Sequence, residues 1–345
     1  MFNTTEKASL TLAYQLPLSL YTLFSTLLGL LGNLTLLITS LKYNSLKLDH
    51  TSLTLVQHLS AADLLYTLLC AAPSFVVYST KTQLPTLYCE IQPNISLYLG
   101  AATINLVFII SLYRLMSTCV FPHGMAIATK RNSNILPFII WAYSFIPPLT
   151  SILSSGKSYF SFLHGRCLSR ITLQPSLKES YVIAIYITLF TILPVLSIIV
   201  INSLLLKYAL THSSSAKKTV KAVRTVCGIS FIFLISYLPY ITNMILNSLN
   251  RPVHSLLKIL CFNTIFINTF SNPIIYAITN QRFGYFINSM ARRGVFVASC
   301  GRFGVLKKGA YGASMRTGVS KKGHSVASLG NAAIVQKQLK RKTTI

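Results

Sequence analysis

Seven stretches of about 20 mainly apolar residues run through this 345-residue sequence, and they restrict its fold more than any other feature. A helix of about 20 residues is long enough to cross the hydrocarbon core of a bilayer. We therefore expect an all-α fold, a bundle of seven transmembrane helices. The predicted spans, numbered 1 to 7 in chain order, cover residues 16–41, 52–78, 91–120, 135–153, 181–206, 228–246 and 256–278.

The charged residues support a membrane protein and predict its orientation. They make up 10% of the chain, well below the roughly 25% of a typical soluble domain. Most of the 31 Lys and Arg residues lie between spans 1 and 2, 3 and 4, and 5 and 6, and after span 7. The positive-inside rule places that side in the cytoplasm and the N-terminus outside. The net charge of +26 therefore indicates topology and a membrane surface, with nucleic acid a remote alternative, and we expect a multi-pass protein of the plasma membrane.

The predicted outer side carries three further signals. Asn3 begins a glycosylation sequon in the extracellular segment 1–15, although sequons often arise by chance. Cys89 and Cys167 both face the oxidising compartment, and we expect a disulfide between them. Alternation on both sides of a Gly-containing turn around Cys167 predicts a short β-hairpin.

Asp63 is one of only five acidic residues, and it lies inside the second apolar stretch. A carboxylate at that depth costs several kcal/mol unless it is hydrated, paired or bound to a metal ion. An intramembrane acid of this kind is by default a functional residue. His58 lies five positions away and about 140° around the helix, so the two side chains make a poor catalytic pair.

Motif residues occur in order in every span, and with them the chain resembles the rhodopsin-like (class A) G-protein-coupled receptors over roughly Leu16 to Met290. Arg114 follows Cys89 by the 25 residues typical of the family. The other landmarks are Gly32-Asn33, Asp63, Trp141 with Pro147-Pro148, Pro194, Phe233 with Pro239, and Asn272-Pro273-Ile274-Ile275-Tyr276.

The resemblance implies a polar core and a set of switch residues. The family commonly holds a sodium ion at the acid of span 2. Here the ligands would come from Asp63, Thr103, Asn268 and Asn272, and hard cations prefer such oxygen-rich surroundings. The alternative is a protonated or water-bridged Asp63 without an ion. No other cofactor is expected. The implied switch residues are Arg114, Ile104, Pro194, Phe233, Tyr237, Pro239, Pro273 and Tyr276.

Three departures from the family pattern concern signalling. Tyr113 replaces the acid that normally precedes the arginine, and the sequence shows no evident carboxylate partner for Arg114. In relatives this pairing restrains the inactive state, so we expect a weaker restraint and higher basal activity. Tyr237 replaces the usual Trp, and Asn202 replaces a Tyr that supports the arginine in the active state. A receptor that binds ligand but signals weakly or not at all is the alternative.

An amphipathic segment follows span 7. Phe283, Phe286, Ile287 and Met290 recur at helical spacing, which predicts a short membrane-parallel helix. We therefore divide the chain into the extracellular segment 1–15, the seven-transmembrane domain 16–279, an amphipathic cytoplasmic helix 280–293 and a disordered basic tail 294–345.

The predicted ligand pocket is aromatic and apolar. Ser96 stands where amine receptors carry an Asp, and Phe266 stands where opsins carry a Schiff-base lysine, so neither a monoamine nor retinal is expected. A peptide is the first choice and a lipid or other apolar carboxylate the second, since Lys258 or Arg170 would bind an acid. Some of the aromatics serve helix packing instead. The predicted pocket residues are Ser96, Tyr186, Phe190, Tyr240, Met244, Lys258, Phe262 and Phe266.

The resemblance also implies the partners. An extracellular ligand and a heterotrimeric G protein are expected, together with arrestin and, through Thr343-Thr344-Ile345, a PDZ domain. Three-residue motifs often arise by chance. A transporter would usually show internal repeats and several intramembrane ionisable groups, which are not seen here. No catalytic residues are predicted, and an enzyme is not expected.

Overall fold

The structure is a computed structural model of the chain. Seven helices that are long and apolar enough to cross a membrane make up most of its described residues. Of two compact units, 1–291 and 292–345, the second lies outside the described residues. The described residues are 4–42, 49–120, 130–153, 158–161, 164–169, 188–211, 217–249, 251, 253–280, 283–284 and 287–288.

The seven predicted spans are confirmed, and several of them consist of more than one helical segment. Span 5 is described only from residue 188, so the first part of the predicted stretch lies outside the described residues. The helices are Thr4–Lys42 in span 1; His50–Tyr66, the π-turn Thr67–Ala71 and Ala72–Thr80 in span 2; Thr86–Leu115 with the π-turn Met116–Val120 in span 3; Lys130–Tyr143 and Ile146–Leu153 in span 4; the π-turn Thr188–Ile192 with Leu193–Thr211 in span 5; Lys217–Ser248 in span 6; and Ser255–Thr279 in span 7.

The lipid-facing surface can be followed along span 1. Leu16, Leu20, Phe24, Leu27 and Leu31 are exposed large side chains, spaced three or four residues apart, so they form one stripe along the helix. A soluble domain would cover such a stripe, whereas hydrocarbon chains solvate it. The exposed stripe therefore fits a bundle that is embedded in lipid.

Prolines explain the interruptions in spans 2 and 4. Proline has no N–H, so the carbonyl four residues earlier loses its helical donor. Pro73 frees the Leu69 carbonyl in this way, and that carbonyl accepts a hydrogen bond from the Tyr88 hydroxyl of span 3. In span 4 the second segment begins just before Pro147 and Pro148, where the first turn of a helix tolerates missing donors.

Span 1 packs closely against spans 2 and 7 through two glycines. A Cβ on Gly29 would lie 2.6 Å from the Thr67 hydroxyl, and one on Gly32 would lie 2.9 Å from the Pro273 ring. Small residues at such positions let helix backbones approach in a membrane. The approach allows the Asn33 side chain to donate hydrogen bonds to the Thr269 carbonyl at 2.5 Å and to the Gly29 carbonyl at 2.9 Å.

The predicted hairpin and disulfide are both confirmed. Strand β1, Ser158–Ser161, pairs antiparallel with β2, Arg166–Ser169, and Phe160 lies opposite Cys167. Cys167 forms the disulfide with Cys89, and its backbone N–H donates to Gln92 Oε1 at 2.8 Å. Covalent and hydrogen bonds thus fix the hairpin to the outer end of span 3.

The membrane-parallel helix after span 7 stays a prediction. Phe283 is fully buried in the hydrophobic core, and Ile287 packs against that core. Phe286 and Met290, the other members of the apolar stripe, lie outside the described residues.

We expect the substitution Gly165→Ala to destabilise the hairpin. Gly165 has φ +61°, and a Cβ there would lie 2.5 Å from ring carbons of Tyr78. The left-handed backbone alone costs an alanine about 1–2 kcal/mol, so the melting temperature of the purified protein should fall by several degrees. Gly228→Ala is the matched control, because its Cβ would meet Ile275 at an ordinary 3.5 Å. Equal melting temperatures for the two variants would contradict this account.

Candidate functional site

Asp63 lies at the centre of the bundle, with 1% of its surface exposed. Its Oδ2 accepts a hydrogen bond of 2.6 Å from the Asn272 side-chain amide. This bond joins the middle of span 2 to the proline-containing part of span 7. The Thr67 hydroxyl donates to the Asp63 backbone carbonyl at 2.7 Å, at the start of the π-turn in span 2.

Three oxygens of the predicted sodium ligands are buried and have no hydrogen-bond partner within the described part of the chain. They are Asp63 Oδ1, Asn268 Oδ1 and Asn272 Oδ1. Thr103, the remaining predicted ligand, is also buried. Buried polar atoms are nearly always satisfied in native proteins, so these oxygens call for a cation or water. Carboxylate, amide and hydroxyl oxygens suit a hard cation, and the side chains here therefore fit a sodium ion.

The predicted switch residues between the core and the outer end are buried. Ile104, Pro194 and Phe233 lie in the interior of spans 3, 5 and 6. The Phe233 ring stacks on the ring of Tyr237, with centroids 4.6 Å apart. Tyr237 lies one turn further along span 6. It lines a cavity, here called the outer cavity, at the end of the bundle that the sequence predicts to be extracellular.

The outer cavity is enclosed by spans 2, 3, 5, 6 and 7 and by the hairpin. Three predicted pocket residues line it: Ser96, Tyr240 and Phe262. The Ser96 hydroxyl lies 3.1 Å from that of Tyr66, across the cavity wall between spans 3 and 2. The remaining lining residues are Tyr66, Cys70, Gln92, Pro93, Leu97, Gly100, Ile104, Arg166, Cys167, Leu168, Thr191, Tyr237 and Ile265.

The other predicted pocket residues lie elsewhere. Phe266 is fully buried, and Met244 is buried against Tyr240. Phe190 packs on Tyr143, with ring centroids 4.8 Å apart, so it serves contact with span 4. Lys258 is half-buried and absent from the cavity lining. Tyr186 and Arg170 lie outside the described residues.

Sequence reasoning missed Arg166, which projects from the hairpin into the cavity wall. Only 5% of its surface is exposed. Its guanidinium carbon lies 4.8 Å from the ring centroid of Phe266 and 5.7 Å from that of Phe262, and one Nη donates to the Phe262 carbonyl at 3.3 Å. The sequence contained one indication of this role, since Arg166 directly precedes Cys167. The disulfide of Cys167 holds this part of the hairpin against the bundle.

The expectation that Arg114 lacks a carboxylate partner is wrong. Arg114 Nη1 lies 3.3 Å from Asp49 Oδ1, with 14% and 42% of the two side chains exposed. Asp49 also caps span 2, accepting from the Ser52 N–H at 3.1 Å and from its hydroxyl at 2.9 Å. The acid missing beside Arg114 in the sequence is thus supplied by the N-cap of the neighbouring span 2.

Asp49 stays ionised throughout the physiological pH range. Burial alone would raise the pKa of its carboxyl group. The Arg114 guanidinium and the hydrogen bonds from Tyr113 and Ser52 act in the opposite direction and hold that pKa below its ordinary value. Since the folded pKa is the lower one, the stabilising contribution persists at neutral pH and disappears only as pH falls through that pKa.

Asn202 joins three spans near the end of the bundle that carries Arg114. Its side-chain amide donates to the hydroxyls of Ser230 at 3.0 Å and Ser111 at 3.3 Å. These two hydroxyls lie 3.3 Å apart. The residue that replaces the family's Tyr in span 5 therefore cross-links spans 3, 5 and 6, and it does not point to Arg114 through any described contact.

His58 does not pair with Asp63. Instead, its Nδ1 accepts a hydrogen bond of 3.1 Å from the Trp141 indole, which links span 2 to span 4. Among the described residues no three His, Cys, Asp or Glu side chains cluster as a metal site.

Comparison with known proteins agrees with this geometry. The model of the 7 transmembrane receptor (rhodopsin family) matches residues 32–276. The chain is 25% identical over 285 residues to C-C chemokine receptor type 1 of Homo sapiens, a match that covers 78% of each chain. The matched region runs from Gly32 in span 1 to Tyr276 in span 7 and includes the cavity, the polar core and Arg114. The chain therefore belongs to the rhodopsin family of seven-transmembrane receptors.

Proposed function

We propose that this protein is a plasma-membrane receptor that binds an extracellular ligand and activates heterotrimeric G proteins by helix rearrangement. The outer cavity carries the proposal, since five spans and the hairpin contribute to its wall. Span 6 connects that wall to the interior, because Tyr237 lines the cavity and stacks on the buried Phe233. A ligand that displaces Tyr237 would move the segment around Pro239, where the helix lacks one hydrogen bond.

A peptide or protein is the favoured ligand, with a lipid or other apolar acid second. C-C chemokine receptor type 1 is by its name a receptor for C-C chemokines, and it aligns over most of this chain. The hairpin contributes Arg166, Cys167 and Leu168 to the cavity wall, so a peptide that enters the cavity would contact it.

Binding without signalling is the second candidate function. The replacement of the family's Trp by Tyr237 and the commitment of Asn202 to Ser111 and Ser230 favour it. The Asp49–Arg114 pair favours signalling, because a restraint on Arg114 has a purpose only if Arg114 is released in another state. Arrestin and a PDZ partner at Ile345 stay predictions, since the tail lies outside the described residues.

A ligand-library screen in cells, read by G-protein and arrestin sensors, separates the two functions. We expect at least one peptide to activate a G protein in cells that express the wild-type receptor and not in cells that express Arg114→Ala. Specific binding of a ligand that activates no G protein would establish the second function instead.

We also propose that Asp63 binds a sodium ion that stabilises the inactive arrangement. The support is the set of buried oxygens without partners on Asp63, Asn268 and Asn272. The carboxylate would supply the negative charge, while the amide oxygens would complete an oxygen-rich site between spans 2 and 7. The bond from Asn272 keeps one carboxylate oxygen in place and leaves the other for the ion.

Sodium should raise the melting temperature of the purified wild-type receptor relative to equal concentrations of choline. A tenfold excess of ion over its dissociation constant stabilises by about 1.4 kcal/mol. Asp63→Asn should abolish the difference between the two salts because it removes the charge. Glu90→Gln, which removes an exposed acid at the outer end of span 3, should keep it. A sodium effect that survives in Asp63→Asn would contradict the proposed site.

Asp49 is proposed to restrain Arg114 in place of the family's neighbouring acid. The pair joins the cytoplasmic start of span 2 to the cytoplasmic end of span 3. Since Asp49 is partly exposed, the pair contributes about 0.2–1 kcal/mol. Because a pair of this strength is a weak restraint, the higher basal activity expected from the sequence stays a prediction.

Asp49→Asn should raise basal G-protein activation, by at most about fivefold for a pair of that strength. The measurement is ligand-independent G-protein activation at matched surface expression, with Glu90→Gln as the control. Adding Tyr113→Asp to Asp49→Asn should return the signal toward the wild-type level, since it places a new acid beside Arg114. An unchanged basal signal in Asp49→Asn would show that the pair restrains nothing.

A further inference from the structure

Arg166 is a buried cation in the wall of the outer cavity without a carboxylate partner among the described side chains. Within the described residues only Arg114 and Asp49 form an ion pair between side chains. Arginine stays protonated in proteins, so the charge cannot be removed by deprotonation. A buried charge is costly unless it is paired and hydrogen-bonded.

The contacts that Arg166 does make compensate this charge only in part. One Nη donates to the Phe262 carbonyl at 3.3 Å, and the Tyr66 hydroxyl lies within hydrogen-bonding reach. The rings of Phe262 and Phe266 present their π-faces at 5.7 and 4.8 Å, an attraction weaker than that of a carboxylate. The Nε donor is buried and has no partner in the described structure.

The described acids are placed elsewhere. Asp49 pairs with Arg114, Asp63 accepts from Asn272, and Glu90 is exposed. The nearby His164 contributes no charge at physiological pH, because burial, followed by the positive charges of Arg166 and Lys258, lowers its pKa to about 4. The wall around Arg166 is therefore positive at neutral pH.

We propose that Arg166 anchors a carboxylate group of the extracellular ligand inside the outer cavity. A planar guanidinium binds a carboxylate through two parallel hydrogen bonds, and Arg166 lines the cavity that the ligand would enter. The hydroxyls of Tyr66 and Ser96 lie 3.1 Å apart in the same wall; one donates to the other, and the second O–H is left to donate to the carboxylate. The apolar rings of Phe262 and Tyr240 would cover the group attached to the carboxylate.

The anchor therefore differs from Lys258 and Arg170, the cations that the sequence indicated. Lys258 is absent from the cavity lining, and Arg170 lies outside the described residues. Rigid placement distinguishes Arg166 as well, since the disulfide and the Gln92 hydrogen bond fix the neighbouring Cys167. A pre-placed guanidinium loses less freedom on binding than a mobile lysine.

The test uses the purified full-length receptor and two pairs of probes at millimolar concentration. N-acetyl-phenylalanine and its amide represent a peptide C-terminus, whereas hexanoate and hexanamide represent a lipid acid. We expect a carboxylate to raise the melting temperature and the matching amide to leave it unchanged. The pair with the larger difference identifies the source of the carboxylate. Equal effects of acid and amide in both pairs would overturn the proposal, and this comparison needs no variant.

Arg166→Gln should weaken carboxylate binding at least tenfold, measured by the dependence of the melting temperature on probe concentration. Arg251→Gln is the matched control, because it removes an exposed cation from the outer side. Arg166→Lys should retain part of the affinity, since it keeps the charge and loses the paired donors. Undiminished binding in Arg166→Gln would refute the anchor.

An internal counter-ion is the competing explanation, and the remaining acids test it. The side chains of Glu6 and Glu179 lie outside the described residues. We expect Glu6→Gln and Glu179→Gln to leave both the melting temperature and carboxylate binding unchanged. If either lowered the melting temperature as much as Arg166→Gln did, and the double variant lost nothing more, Arg166 would be satisfied within the chain and the proposal would fall.

The inference rests on the proposed ligand-binding function, yet different experimental results would contradict the carboxylate anchor and the signalling function. The melting temperature of the purified receptor reports binding and involves no G protein. Carboxylate binding without G-protein activation in cells would contradict signalling and leave the anchor in place. Activation by a ligand in cells, together with equal acid and amide effects on the purified receptor, would contradict the anchor alone.

Discussion

The hydrogen bond between Asn272 and Asp63 is the contact on which the rest of the bundle depends, because a carboxylate this deeply buried is costly unless it finds partners inside the bundle. The side-chain amide of Asn272 in span 7 donates to the Asp63 carboxylate at 2.6 Å, and this hydrogen bond holds spans 2 and 7 together. The glycines of span 1 then allow Asn33 to reach the Thr269 carbonyl beside the same site. The contacts around the buried Asp63 carboxylate thus align spans 1, 2 and 7.

The two ends of the bundle hold a largely buried cation in different ways. At the end predicted to be cytoplasmic, Arg114 has an acid, Asp49, supplied by the cap of another helix. At the outer end Arg166 has aromatic faces, a hydroxyl and a carbonyl, but no described acid. In the proposed mechanism the paired Arg114 stabilises the resting arrangement, whereas Arg166 is stabilised when an anionic ligand binds. The difference suits a molecule that receives a ligand on one side and responds on the other.

The sequence predicted those features that depend on local pattern. Span length follows from hydropathy, and the hairpin with its disulfide follows from alternation and from two cysteines on the oxidising side. The partner of Arg114 could not be found in this way, because Asp49 lies 65 residues earlier and looks like an ordinary helix cap. Only the antiparallel packing of spans 2 and 3 brings the two side chains together.

Arg166 shows the same limit in the candidate site. Alternation along the hairpin assigns side chains to opposite faces, but which face turns toward the bundle depends on the disulfide geometry and on the Gln92 contact. Phe190 is the converse case, since an aromatic expected in the pocket packs on Tyr143 instead. Side chains near the ends of spans are thus the least predictable, because small rotations of a helix decide between the cavity and its neighbours.

A double-mutant cycle on Asp63 and Asn272 tests the central contact most directly. The free energies of unfolding of Asp63→Ala, Asn272→Ala and the double variant would be measured on purified receptor under identical conditions. If the two side chains satisfy each other, the effects are non-additive by about 1 kcal/mol or more. Additivity within about 0.5 kcal/mol would show that the contact does not hold spans 2 and 7 together.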